Sequence, residues 1–315
     1  MMKILVTGPL GHIGSRLIRE FPYHFPSSEL VLIDNLCTQR YTSLFNLPGE
    51  CIYRFIEGDV LELDLPSIMT GVDAVIHLAA ITDAAGSFQI REKIEHVNYN
   101  TTKRVADSCV LLGIPMIHLS STSVYGTQKS IVDEDCDEGE LKPQSPYAET
   151  KLREERLLKD MAAVNSLSFV TCRFGTIVGI SPGMRFHTAA NKFCWQAVLG
   201  QPLTVWRTAL HQKRPYLSIN DAMNALFFLL DKRCFDGRVY NVVTENLTVN
   251  DVISWIRPKV GEVTIDYVDT EIMNQLSYTV SSRRFRDLGF AFTGSIEKNI
   301  TETIGLLQGA GGYHD

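Results

Sequence analysis

The run Lys3-Ile-Leu-Val-Thr7-Gly8-Pro-Leu-Gly11-His12-Ile13-Gly14 constrains the fold of this chain more than any other stretch. It reads as a short buried strand, a turn with three glycines, and an amphipathic helix from Ile13 to Phe21. Strand, glycine turn and helix form the arrangement that holds a dinucleotide. Gly8 permits the tight turn, Gly11 lets the backbone approach a pyrophosphate, and Gly14 allows close packing of helix on strand. The helix start at His12 and Ile13 offers N–H groups that an anion can use. The spacing is G-x-x-G-x-x-G, which a glycine-rich turn without a ligand also satisfies.

A second strand, Leu30-Val-Leu-Ile-Asp34, ends in a carboxylate 20 residues beyond Gly14. A carboxylate there binds ribose hydroxyls and repels a 2′-phosphate, so the reading is NAD rather than NADP, with Arg40 the one nearby cation that speaks the other way.

Tyr147-Ala-Glu-Thr-Lys151 places a phenol one helical turn from an ammonium. Free tyrosine titrates near 10, so a base at neutral pH needs a depression worth about 4 kcal/mol, which a neighbouring cation and a nicotinium can supply. Before it, Pro115-Met-Ile-His-Leu119 reads as a buried strand running into Ser120-Ser121-Thr122-Ser123-Val124, hydroxyls at the strand end that faces the ligand crevice.

Taken in order, glycine loop, hydroxyl cluster and Tyr/Lys helix resemble an extended short-chain dehydrogenase/reductase of the nucleotide-sugar epimerase and dehydratase group. The likeness runs from Gly8 to about Phe290. It implies Ser121, three before Val124, as the catalytic hydroxyl, Tyr147 as acid/base, and Lys151 as the residue that holds the nicotinamide ribose and lowers the tyrosine. It implies further cofactor contacts at Asn35, Asp59 and Val60 near the adenine, at Leu78, Ala79 and Ala80 after His77, and at Asn98, which opens the dimer-forming helix. Arg214 matches the arginine that grips the substrate pyrophosphate, and Thr82, Thr122, Thr176, Arg185 and Arg207 are expected around the same substrate.

The chain departs from that pattern in three places. Dehydratases of the group carry Asp-Glu after the catalytic hydroxyl, where this chain has Thr122-Ser123. The usual substrate asparagine after the sixth strand is Thr176, within Arg173-Phe-Gly-Thr-Ile-Val-Gly179-Ile-Ser-Pro-Gly-Met-Arg185. A late arginine that meets the nucleotide is replaced by Asn274-Gln-Leu-Ser-Tyr278. Dehydration is thereby disfavoured. The Gly-Ile-Ser-Pro-x-Met-Arg form resembles a branch that includes dehydrogenases of nucleotide-linked heptoses, so release of an oxidised product stays open beside re-reduction.

Composition fits an enzyme with a large core: 315 residues, 45% hydrophobic, formal net charge −6. The negative charge argues against nucleic-acid binding. No apolar run has membrane length and Met1 leads almost directly into a strand, so no signal peptide and a cytoplasmic location are expected. Seven scattered cysteines without C-x-x-C spacing and eight histidines without metal spacing predict neither disulfides nor a metal site. Between Asp160 and Asp221 there is no carboxylate, while Arg173, Arg185, Lys192, Arg207, Lys213 and Arg214 fall inside that stretch, a field suited to a diphosphate.

Strand and helix patterns alternate through about Phe174, predicting an α/β fold: a Rossmann-type doubly wound parallel sheet with a smaller C-terminal α/β substrate domain. Strands are expected at 3–7, 30–34, 53–57, 74–78, 115–119 and 168–173, and long helices at 88–112 and 147–163. The NAD-binding domain is read as 1–174 with 219–244. The substrate domain is read as 175–218 with 245–315, taking a nucleoside-diphosphate sugar. The two long helices are expected to pair with their copies in a homodimer, although their apolar residues suit the monomer core equally. The expected reaction is a C4 oxidation followed by re-reduction, a 4-epimerisation. A net-redox dehydrogenase and a non-catalytic NAD(H) sensor are the other readings.

Overall fold

In a computed structural model, residues 1–82, 86–126, 129–268 and 277–310 are described. A seven-stranded parallel sheet runs in the order Asp236–Val242, Phe169–Phe174, Met116–Ser121, Ala74–His77, Lys3–Thr7, Glu29–Asp34, Ile52–Glu57. The first strand lies mid-sheet, with the second on one side and the fourth on the other. The order therefore reverses at Thr7 and His77, and ligands bind outside strand ends at such a point. The strands are continuous apolar runs because helices cover both faces. One face packs Leu17, Ile18, Phe21, Leu226 and Leu230 against Ile4, Val6 and Ile76; the other packs Val105, Cys109, Leu158 and Met161 against Leu5, Val31 and Val75. Each such side chain contributes about 1.5–3 kcal/mol of burial.

Capping fixes where the helices start. Ser145 Oγ accepts from Ala148 N at 3.2 Å and Pro146 occupies the first turn, so the helix Pro146–Asn165 begins one residue before Tyr147. Thr248 and Asp251 form a reciprocal capping box for the helix Val249–Val260.

The helix expected over 88–112 is not a single regular element. It opens at Arg91, widens to a π turn over Glu95–Tyr99, and becomes α-helical again over Asn100–Leu112. The wide turn brings Asn98 to a fully buried position, where its amide donates to Ile81 O at 3.0 Å and accepts from Ile81 N at 2.8 Å. Period-3.6 patterning carries no mark of one extra residue in a turn, so the sequence reading missed it.

A second core gathers Val178, Phe193, Leu203, Val205, Ile253, Ile256, Ile300 and Ile304. Its sheet pairs Arg214–Ser218 with Thr176–Val178 and Glu245–Leu247, and Leu203–Trp206 pairs with Ile265–Val268. Residues 283–292 belong to neither of these sheets. Phe285 and Phe290 pack with Phe228 of the helix Ile219–Asp231, and Phe285 also with Tyr240 of the large sheet, and so tie the chain's late segment back to the first core. No described helix is long and apolar enough to cross a membrane.

Candidate active site

The glycine loop divides into two kinds of position. Gly8 adopts φ +67°, and a Cβ on it would stand 2.8 Å from Ala79 Cα; a Cβ on Gly14 would stand 2.6 Å from Gly8 O. The protein's own packing demands both. A Cβ on Gly11 would meet Gly8 O at 3.5 Å and Arg40 Nη1 at 3.9 Å, ordinary contacts, so the protein's own packing leaves room there and does not by itself require glycine. Gly11 is also the N-cap of the helix His12–His24 and brings no side-chain bond to its free N–H groups.

Around that space stand His12, Arg40, Arg185 and His187. Burial, then Arg40, His187 and Arg185, push the His12 imidazole down to about 3, so it is neutral. Its Nδ1 lies 2.6 Å from Ser181 Oγ, while Nε2 is buried with no hydrogen-bond partner among the described residues. An orphaned buried ring nitrogen is costly unless a ligand meets it. Asp34 accepts from Leu36 N at 2.9 Å and Leu10 N at 3.3 Å; burial raises its carboxyl, and those N–H groups and Arg40 oppose the rise. Asn35 donates to Asp59 Oδ2 at 2.9 Å and so links the ends of the second and third strands, while Val60 O accepts from Arg104. Thr7 Oγ1 accepts from Leu78 N and Ala79 N, both at 3.2 Å, and therefore donates its own proton to His77 Nδ1 at 2.7 Å. That fixes the Leu78–Ala80 backbone beside Gly8.

The strand Met116–Ser121 delivers the hydroxyls. Ser121 Oγ accepts from Ser123 N at 3.2 Å and from Ser123 Oγ at 2.9 Å, which leaves the Ser121 proton to donate. Thr122 is buried and donates to Phe174 O at 3.3 Å.

Tyr147 is half-buried in the first turn of its helix, with the buried Lys151 one turn on. Burial lifts the Tyr147 phenol above its ordinary value; Lys151 and Arg185 pull it down and Glu154 pushes it up. The depression expected from sequence is absent in the protein alone: desolvation outweighs the ammonium, and the phenol's net shift is upward. Lys151 Nζ donates to Glu154 Oε2 at 2.8 Å, and the same oxygen faces His118 Nε2 at 2.9 Å. Neither Glu154 nor His118 was singled out from sequence; the available signal was two carboxylates directly following the Tyr/Lys turn.

Arg185 donates to Thr82 Oγ1 and lies within electrostatic reach of Tyr147, His12 and Arg40. Thr176 is half-exposed in its strand and pairs across to Tyr216. Arg214 donates to Lys213 O at 2.9 Å and Gln212 Oε1 at 2.7 Å, and Arg207 lies 5.1 Å from the Tyr267 ring centroid. Arg173 does not belong to the cationic field expected from sequence. It is buried in a bidentate pair with Glu155, with Nη2 to Oε2 at 2.6 Å and Nε to Oε1 at 3.0 Å, and it also donates to Tyr125 OH at 2.7 Å. Asn274 lies outside the described residues.

Residues 4–242 match the family described as the NAD dependent epimerase/dehydratase family. The chain belongs to that family. Its relatives include an uncharacterized UDP-glucose epimerase, YtcB, of Bacillus subtilis (strain 168), 30% identical over 98% of each chain. A dTDP-D-glucose 4,6-dehydratase of Bos taurus is 26% identical over 96% of this chain and 87% of its own. Among solved structures, UDP-glucuronic acid 4-epimerase of Bacillus cereus in complex with UDP-glucuronic acid and NAD superposes with TM-score 0.85 at 26% identity, covering 98% of this chain and 100% of that one. The protein is an enzyme with NAD as cofactor. The space over Gly11, the unpartnered His12 Nε2 and the Asp34 carboxylate fit that group.

Proposed function

We propose that this protein is a nucleotide-sugar 4-epimerase whose acid/base is Tyr147. The observation that carries the reading is the position of Tyr147 in the first turn of its helix, one turn before the buried Lys151, where Lys151 and Arg185 oppose the rise that burial imposes on the phenol. In this reading Tyr147 takes the proton of the sugar C4 hydroxyl while the Ser121 O–H donates to the same oxygen, leaving a 4-keto sugar. NAD, when bound, would supply a reversible hydride acceptor for C4, and return of the hydride to the opposite face would invert C4 without net redox change. Lys151 holds the nicotinamide ribose, with Asp34, Asn35, Asp59, Val60, Leu78, Ala79 and Ala80 along the rest of the dinucleotide, while the buried Asn98 acts on that site only by fixing the Ile81 backbone. Arg214, Arg185 and Arg207 receive the diphosphate of a nucleoside-diphosphate sugar, with Thr82, Thr122 and Thr176 nearer the sugar.

Dehydration is disfavoured because the two residues after Ser121 carry hydroxyls, and those hydroxyls already bond Phe174 O and Ser121. The separate core around Val178, Phe193 and Ile300 supports residues 175–218 with most of 245–315 as the substrate lobe. Exposed Leu111, Leu112 and Val164 near the ends of the helices Asn100–Leu112 and Pro146–Asn165 support a homodimer through that face. The test is incubation with UDP-glucose, UDP-glucuronic acid and UDP-N-acetylglucosamine, followed by NMR of the products and absorbance of NADH. A C4 epimer with no net NADH is the expected result. A stable keto product with NADH would make the enzyme a dehydrogenase, and no change with any sugar would favour a sensor.

A further inference from the structure

We propose that Arg40 is a further cofactor-binding residue of this enzyme: its guanidinium closes the glycine turn from the side of the second strand and receives the pyrophosphate of NAD there. Arg40 would serve NAD in the same way whether the sugar is epimerised or oxidised.

The backbone that carries Arg40 is fixed. Leu36 and Gln39, neither of them glycine, take φ of 53° and 52°, conformations that persist only where the surroundings impose them. Here Leu36 is buried and donates its N–H to Asp34 Oδ1 at 2.9 Å, and Gln39 N donates to Leu36 O at 2.8 Å. Just beyond, Ser43 N donates to Arg40 O at 3.0 Å and Arg19 donates to Ser43 O at 2.7 Å. Both ends of the curl are tied to one residue of the glycine turn: Leu10 N donates to Asp34 Oδ2 at 3.3 Å, and Leu10 O accepts from Ser43 Oγ at 2.9 Å. The curl so returns the Arg40 side chain over Gly11, with Nη1 3.9 Å from where a Cβ on Gly11 would stand.

The charges around this guanidinium are mostly of its own sign. Among the described residues it forms no hydrogen bond and no ion pair. Burial, then the Arg185 charge, disfavour its charged form, and Asp34 and Cys37 oppose them. Arg40 is in turn the largest charge acting on His12, whose Nε2 is buried without a hydrogen-bond partner among the described residues. The uncapped start of the helix His12–His24 adds its own positive end. Two guanidinium groups, a helix N-terminus and an unbonded ring nitrogen thus surround one turn. An anion with several acceptor oxygens satisfies all of them, and a guanidinium fork can hold two such oxygens at once. The other anion within reach of a cation here is a 2′-phosphate on the adenosine ribose. Asp34 stands against it: both its oxygens are fixed by N–H groups, Arg40 does not pair with it, and a carboxylate at that strand end repels a 2′-phosphate.

The experiment is calorimetric titration of the full chain with NAD, NADP, ADP and adenosine. Arg40→Ala is expected to weaken NAD and ADP by roughly 10- to 100-fold, the weight of hydrogen bonds to a charged group, and to leave adenosine unchanged. Arg40→Lys, which keeps the charge and loses the fork, should fall between Arg40→Ala and wild type, and serves as the test if Arg40→Ala does not fold. Added salt should weaken NAD binding more in the wild type than in Arg40→Ala. Equal losses for NAD and adenosine would make Arg40 a support of its loop, and unchanged NAD binding would place it outside the site; either result overturns the proposal. So does a wild type that binds NADP more tightly than NAD and loses that preference in Arg40→Ala.

Discussion

On the large-sheet side of the site, charges are matched at contact distance: Lys151 with Glu154 at 2.8 Å, Arg173 with Glu155 at 2.6 Å. On the other side the chain runs from Asp160 to Asp221 without a carboxylate, and Arg185, Arg207 and Arg214 reach a hydroxyl, an aromatic ring, a backbone carbonyl and an amide. The first side pairs its cations with carboxylates of the helix Pro146–Asn165; the described bonds of the second go to neutral groups. The difference teaches that one residue type, arginine, serves opposite ends here. Arg173 is a buried strut on Glu155, whereas Arg185 donates to Thr82 and Arg214 to Gln212 and the Lys213 carbonyl.

That contrast can be broken most directly at its chemical centre. Tyr147→Phe should lower turnover by about 10³-fold, the usual weight of a general acid/base, with NAD content on purification unchanged. A variant retaining more than a tenth of wild-type rate would remove Tyr147 from the mechanism. Arg173→Ala should cost about 3–5 kcal/mol in urea unfolding because it strands Glu155 as a buried unpaired charge, a loss far larger than any effect on substrate binding. If instead it chiefly raised KM, Arg173 would belong with the substrate-side cations after all. Arg214→Ala should do the reverse, raising KM roughly 10- to 100-fold with little change in stability, the weight of hydrogen bonds to a charged group.

The smallest effect is the pH dependence of stability. Burial, then nearby charges, holds His77 and His12 down at about 3, against an ordinary value of 6.5. Folded histidines are then neutral while unfolded ones take protons, so the stability is fully present above about 6.5 and is lost as pH falls toward 3. Glu154, held at about 2 by Lys151 and His118 against the opposing effect of burial, adds a second loss between 4.5 and 2. Urea midpoints should be level at pH 8 and 7 and lower at pH 5; a midpoint at pH 5 equal to that at pH 8 would mean these rings are protonated in the fold.

Much of the sheet was legible because its strands are contiguous apolar runs bounded by turn residues, and the structure places them within a residue or two of expectation. Gly8 and Gly14 were legible as steric necessities. The π turn at Glu95–Tyr99 was not, and neither was the return of Phe285 and Phe290 to the first core, since a Phe pattern does not say which of two cores receives it. Arg173 was misread as part of an anion field because a count of charges along the chain ignores a partner on another element.

The amino-acid order determined the residue types that carry the chemistry and their spacing along local elements: three glycines, a hydroxyl strand end, a phenol and an ammonium one turn apart. Those follow from backbone sterics and helix period, which are local. Only the tertiary structure decided that Arg173 is paired with Glu155, that Glu154 and His118 stand behind Lys151, and that burial outweighs the ammonium at Tyr147. Desolvation and pairing depend on neighbours brought together from distant segments, and no local rule contains them.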